Sequence, residues 1–155
     1  FYFSAWEDYA TIYAPLEQEY EEGSAFLGGG FTVQTPVHGA PTIGIGRYTP
    51  INDWTDVVGY GSLKAIDPET GDAKWTFDQF DVSDAGMLTT ASDLLFTGGR
   101  EGYFYALDAR NGKELFKVNL GGQIVMAPVT FMVDGTQYVT VTSGNAMATF
   151  AVRGK

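Results

Sequence analysis

Apolar and polar positions along this chain alternate in short stretches, the mark of many strands and few helices. Phe1-Tyr2-Phe3-Ser4-Ala5-Trp6 is a short aromatic run and predicts a buried strand. Over residues 7–20, Tyr9, Ile12, Tyr13, Leu16 and Tyr20 recur at roughly helical spacing, but Pro15 limits this to one or two short turns of helix. Regular β patterning begins at Gly59. Strands are expected over residues 62–67, 73–77, 86–90, 94–97, 103–108, 114–118, 124–133, 136–142 and 147–152. The breaks between them carry turn chemistry. In Asp67-Pro68-Glu69-Thr70-Gly71, Pro68 fixes φ and Gly71 supplies a positive φ. Asn111-Gly112 and Asp134-Gly135 are strong hairpin signals.

The strands repeat. Ala65-Ile66-Asp67-Pro68-Glu69-Thr70-Gly71-Asp72-Ala73-Lys74-Trp75 returns 41 residues later as Ala106-Leu107-Asp108-Ala109-Arg110-Asn111-Gly112-Lys113-Glu114-Leu115-Phe116. A third, truncated copy without the Asp is expected at Ala151-Val152-Arg153. A period near 40 that carries strand, tight turn and strand is the signature of a β-propeller blade. The fold class is therefore all-β, a β-propeller fragment of about two and a half four-stranded antiparallel blades. Residues 1–85 are expected to hold one blade with a long insertion at 7–58, residues 86–120 a complete blade, and residues 121–155 three strands of a further blade. Trp75 and Phe116 fall on the outermost strands, with each ring expected to lie flat between adjacent sheets. Ala65 and Ala106 leave room for a neighbour's ring, Asp67 and Asp108 accept backbone N–H groups in the turn, and Gly71 and Gly112 close it. Two and a half blades cannot close a ring, so the remainder of the same propeller or a partner chain is expected to cover the open faces.

Composition narrows the function classes. Nineteen acids against nine bases give a net charge of −10, which argues against nucleic acid or an anionic membrane as partner and is read as solubility. Hydrophobic residues at 45% and charged residues at 18% exclude a disordered chain. There is no cysteine, so disulfides and thiol chemistry are excluded within these residues. No apolar run is long enough for a transmembrane helix. The chain opens on an aromatic strand without initiator Met or signal peptide, and is read as a mature fragment or a segment of a longer polypeptide. Glu17, Glu19, Glu21 and Glu22 lack the spacing of a calcium loop and read as a solvated face. Gly28-Gly29-Gly30 and Gly44-Ile45-Gly46-Arg47 lack the context of phosphate or dinucleotide loops, and His38 has no second His or Cys to complete a site.

The repeat Ala-x-Asp-x-x-x-Gly at 65–75 and 106–116, ending in a large aromatic, resembles the tryptophan-docking motif of pyrroloquinoline-quinone (PQQ) repeats. Gly86-Met87-Leu88-Thr89-Thr90-Ala91-Ser92-Asp93-Leu94-Leu95-Phe96-Thr97-Gly98 resembles the same family, as do Ala127-Pro128-Val129-Thr130-Phe131 and Asp134-Gly135-Thr136-Gln137-Tyr138-Val139. The chain is similar to the C-terminal third of quinoprotein alcohol or methanol dehydrogenases, eight-bladed propellers with PQQ and a calcium or lanthanide ion on the axis. The resemblance implies a periplasmic enzyme that oxidises an alcohol or sugar and passes electrons to a cytochrome. It assigns no catalytic residue and no metal ligand to these residues. Two positions fall where family members approach the cofactor: Trp6, at the family's usual Asn, and Asp84, at its usual Trp. With Glu7, these are the candidate cofactor-wall residues. The second hypothesis is a PQQ-repeat propeller without cofactor, serving as scaffold or accessory subunit of a membrane-associated complex.

Overall fold

The computed structural model describes residues 1–7, 9–12, 17, 19–24, 26, 33–36 and 60–151. Their strands are β1 (Tyr2–Glu7), β2 (Tyr9–Ile12), β3 (Val33–Pro36), β4 (Tyr60–Ile66), β5 (Ala73–Gln79), β6 (Leu88–Thr89), β7 (Leu94–Gly98), β8 (Tyr103–Asp108), β9 (Glu114–Asn119), β10 (Val129–Val133), β11 (Thr136–Ser143) and β12 (Ala146–Ala151). All pairings are antiparallel. One compact unit comprises residues 1–7 and 60–155, and holds sheets ordered β1-β4-β5, β6-β7-β8-β9 and β10-β11-β12. Three, four and three strands make two and a half four-stranded blades.

Residues 8–59 form the other unit, in which β2 pairs with β3 from Tyr9↔Pro36 to Ile12↔Val33. The helical spacing expected from residue 7 onward therefore gives a strand over 9–12, where β-branched Thr11 and Ile12 favour extended backbone. Glu17, Glu19, Glu21 and Glu22 are exposed. Gly28-Gly29-Gly30, His38, Gly44-Ile45-Gly46-Arg47 and the tail after Ala151 lie outside the described residues.

The core of the first unit sits between sheets. On β8 the side chains alternate in the two directions the pleat dictates. Tyr105 and Leu107 join Leu63, Leu95 and Ala109 in one cluster, with Tyr2, Trp75, Phe77 and Met87 packed on it. Phe104 points the other way and joins Ala85, Ile124, Val139 and Val141, with Phe96 and Phe150 against them. A strand covered on both faces needs an unbroken apolar run, which Tyr103-Phe104-Tyr105-Ala106-Leu107 supplies. Phe104 stacks on Phe96 and on Phe150 at 5.9 and 5.2 Å between ring centroids.

The repeat turns have the chemistry their residues demand. Gly71 and Gly112 adopt φ of 79° and 73°. The Asp67 carboxylate accepts the Glu69 N–H and pairs with Lys74, and Asp108 does the same with the Arg110 N–H and guanidinium. These bonds hold Asp108 down at about 2, and Asp67 below the usual carboxylate range. The strand register places Ala65 opposite Trp75 and Ala106 opposite Phe116. Each small residue thus stands beside the large ring of its own sheet. Trp75 lays its six-membered ring over Gly112 of the next sheet, where an added Cβ would come within 2.7 Å of Cε3. Its indole N–H donates to the Ala109 carbonyl at 3.0 Å.

Phe116 differs from the flat placement expected of it. It meets Phe150 edge-on at 69° and is 44% exposed, beside an apolar cleft of about 600 Å³ lined by Leu94, Phe96, Phe104, Val139 and Phe150.

Two expected strands are shorter. The first strand of the second sheet is Leu88–Thr89, because the Gly86 backbone lies flush on Ala127, leaving 2.6 Å for any Cβ. β10 begins at Val129 and not at 124: Ile124 is buried and donates its N–H to the Gly99 carbonyl, and Pro128 has no N–H to give a ladder.

Candidate functional site: the Trp6, Asp84 and Arg100 cluster

Trp6 sits near the end of β1, opposite Gly61 of β4. A Cβ at Gly61 would lie 2.4 Å from the Asp81 carbonyl, so glycine here lets the loop of residues 80–87 close against the sheet. That loop has no ladder of its own, and side chains satisfy its backbone. Gln79 Nε2 and Ser83 Oγ both donate to the Gly98 carbonyl, at 3.2 and 2.8 Å. The Asp81 N–H donates to Glu101 Oε1 at 2.7 Å, and the Ala85 N–H to Ser83 Oγ. Glu101 Oε2 in turn accepts the Tyr105 hydroxyl, whose pKa is raised by burial and by that carboxylate. The β7–β8 turn and the 80–87 loop are thereby stapled into one surface.

Arg100 closes that surface. Its side chain is 5% exposed, and its Nε and Nη2 both donate to Asp84 Oδ2, at 3.1 and 2.7 Å. The guanidinium carbon lies 5.2 Å from the centroid of the Trp6 ring. Trp6 Nε1 donates to the Ser83 carbonyl at 3.3 Å. Trp6 and Asp84, 78 positions apart in the sequence, therefore meet on one side chain. Glu7, the third residue singled out by sequence, turns to its own sheet: its Oε1 accepts Ser62 Oγ and pairs with Lys64. The Lys64 bond, then that of Ser62, holds Glu7 below the usual carboxylate range, which suits a wall and not a proton acceptor.

Sequence reasoning missed Arg100, Glu101 and Asp81. Gly98-Gly99-Arg100-Glu101-Gly102 reads as a plain turn, and the signal present was an Arg–Glu pair bracketed by glycines, with Asp81 and Asp84 spaced three apart before Gly86.

Asp81 is the cluster's strained charge. It is 1% exposed; Oδ1 caps the Val82 N–H at 2.7 Å, and Oδ2 meets no hydrogen-bond partner among the described residues. Burial pushes its carboxyl up to about 6 from an ordinary 3.8, against the Val82 N–H and Arg100, which lower it. The folded state thus holds this proton more tightly than the unfolded chain. Its contribution is complete below about 3.8 and is lost as pH rises through about 6. Asp81→Asn keeps the cap and removes the buried charge. Urea unfolding is expected to show it more stable than wild type by about 1–2 kcal/mol at neutral pH, after discounting for solvent screening, and no more stable near pH 4. An equal gain at both pH values would contradict the buried-charge account.

Among the described residues no group of three or more His, Cys, Asp or Glu is placed to hold a metal ion, and no helix is long and apolar enough to cross a membrane.

Comparison with known proteins puts this geometry in a family. A PQQ-repeat family model, described as "Outer membrane protein assembly factor BamB", matches residues 59–154. The quinoprotein ethanol dehydrogenase of Pseudomonas aeruginosa is 40% identical over 138 residues, 89% of this chain and 18% of that protein. The quinoprotein alcohol dehydrogenase PedE of Pseudomonas putida is 38% identical over 128 residues, 83% of this chain and 17% of that protein. A solved europium-containing methanol dehydrogenase superposes with a TM-score of 0.67 at 27% identity, covering 90% of this chain and 22% of that one. The chain spans about a fifth of the length of these relatives. It belongs to the PQQ-repeat β-propeller family, in its quinoprotein alcohol dehydrogenase branch.

Proposed function

We propose that these residues form one wall of the quinone compartment of a periplasmic PQQ-dependent dehydrogenase that oxidises an alcohol. The observation that carries the reading is the meeting of Trp6 and Asp84 on Arg100: two positions singled out for the cofactor by the family resemblance converge in one rigid cluster. The alcohol as substrate class rests on relatives named as ethanol and 1-butanol dehydrogenases.

The residues present fit a wall and do not fit a metal cage. Trp6 offers a flat apolar ring held at its N–H by Ser83 and at one face by Arg100, while the Arg100–Asp84 pair keeps the polar part of that wall close to neutral. PQQ, when bound, accepts the hydride that the alcohol loses. These side chains orient the cofactor by shape and exclude water from one side; the base and the ligands of a calcium or lanthanide ion belong outside the described residues. A cytochrome is the proposed electron acceptor, in keeping with a relative named for cytochrome c.

The test uses the full-length apo polypeptide with PQQ and calcium or lanthanum chloride. Binding is expected to change the quinone absorbance and to stabilise the fold by about 2.7 kcal/mol at a ligand concentration about 100 times Kd. Alcohol-dependent reduction of an artificial electron acceptor should appear with it. No spectral change and no thermal shift would overturn the enzyme reading in favour of a cofactor-free propeller.

A further inference from the structure

We propose that Arg100 is a positioning residue of that compartment: it fixes the Trp6 ring and cancels the Asp84 charge that would otherwise face an anionic cofactor. This rests on the reading just given. The loop and turn that make the wall bring together three acids, Asp81, Asp84 and Glu101, and one base, Arg100, in a chain whose net charge is already −10. Glu101 is engaged by the Asp81 N–H and the Tyr105 hydroxyl. Asp84 is the acid that Arg100 takes directly, through two donors to one oxygen.

A quinone carrying three carboxylates is repelled by an uncompensated carboxylate a few ångströms away, and more strongly where water is excluded. Arg100 removes that repulsion without presenting a charge of its own, because its side chain is nearly all buried against Asp84 and the indole. Guanidinium geometry matters here: two of its N–H donors serve the carboxylate while its central carbon stays over the ring, an arrangement that a lysine ammonium does not reproduce. Removing Arg100 therefore has two consequences, a ring that loses its backing and a carboxylate that regains its charge in the compartment.

The experiment measures PQQ affinity of the apo full-length protein by quenching of intrinsic fluorescence, with calcium present, alongside the apo melting temperature. Arg100→Gln is expected to weaken PQQ binding about tenfold or more, and this loss should shrink at about 0.5 M salt. Arg100→Lys should fall between the two. Arg100→Gln combined with Asp84→Asn removes both charges of the pair, so that neither is left facing an absent partner, and should recover affinity to within about threefold of wild type. Arg100→Gln with unchanged PQQ affinity and only a lower melting temperature would overturn the proposal and leave the functional reading standing. A double variant that stays as weak as the single one would overturn the charge-cancelling role. A wild-type protein that does not bind PQQ at all would overturn both.

Discussion

Trp75→Ala is expected to destabilise the protein by about 3–5 kcal/mol, the range for deleting a large packed aromatic ring. The ring closes the first sheet onto the second, over Gly112 and beside Tyr2 at 5.7 Å. Alanine leaves a gap that the backbone at Gly112 cannot fill, since its φ of 73° is fixed by the turn around Asp108. The loss is one of packing more than of hydrogen bonding. The Ala109 carbonyl that receives the indole N–H also receives the Tyr2 hydroxyl at 2.9 Å, so it remains satisfied. Trp75→Phe, which keeps a ring, should accordingly lose less than half as much. Urea unfolding of the full-length protein decides the matter, and a loss below about 1 kcal/mol for alanine would refute the inter-sheet role of Trp75.

Gly61→Ala should cost about 3 kcal/mol for a single added methyl group, at the upper end of overpacking effects. The methyl would meet the carbonyl of Asp81 at 2.4 Å and the Cα of Val82 at 2.9 Å. Backbone is a poor neighbour to displace, and this stretch is pinned through Glu101, Ser83 and Asp81 itself. The displacement should reach the Ser83 carbonyl, which holds Trp6 Nε1, and so shift the fluorescence of that indole. Gly71→Ala supplies the control. It has a φ of 79° but nothing within 4 Å of the new Cβ, so it should show backbone strain alone, about 1 kcal/mol. Equal losses in the two variants would contradict the close approach of the loop to β4.

What the sequence disclosed was local in origin. The Asp-to-Gly turns, the Asp134-Gly135 hairpin with φ of 49° and 76°, and the strands around them follow from residues within reach of one another along the chain. The extra residues assigned to β10 show where local pattern misleads, because Ile124 is apolar for an inter-sheet core and not for a ladder. The strand at 9–12 was obscured for a related reason: spacing over four residues fits a helix and a strand alike, and the partner at 33–36 decides. In the candidate site, Trp6 and Asp84 were legible through family resemblance. Arg100 was not, since a lone arginine in a glycine turn has no period, and its partners come from residues 6 and 84.

The contact made by Trp75 has a sense of direction. Its ring belongs to one sheet and the carbonyl and glycine it covers belong to the following one, so the junction is heterologous, with donor and acceptor surfaces that are not interchangeable. Such junctions end only by closing on themselves: a sheet inside the row, like the second one here, is covered on both flanks, and an open row leaves one uncovered flank at each of its two ends. Damage propagates with the same polarity. A lesion in the turn at 109–112 loosens the sheet that precedes it, while a lesion in β5 leaves that turn intact and merely uncovered. Limited proteolysis would therefore cut on opposite sides of the junction in the two cases.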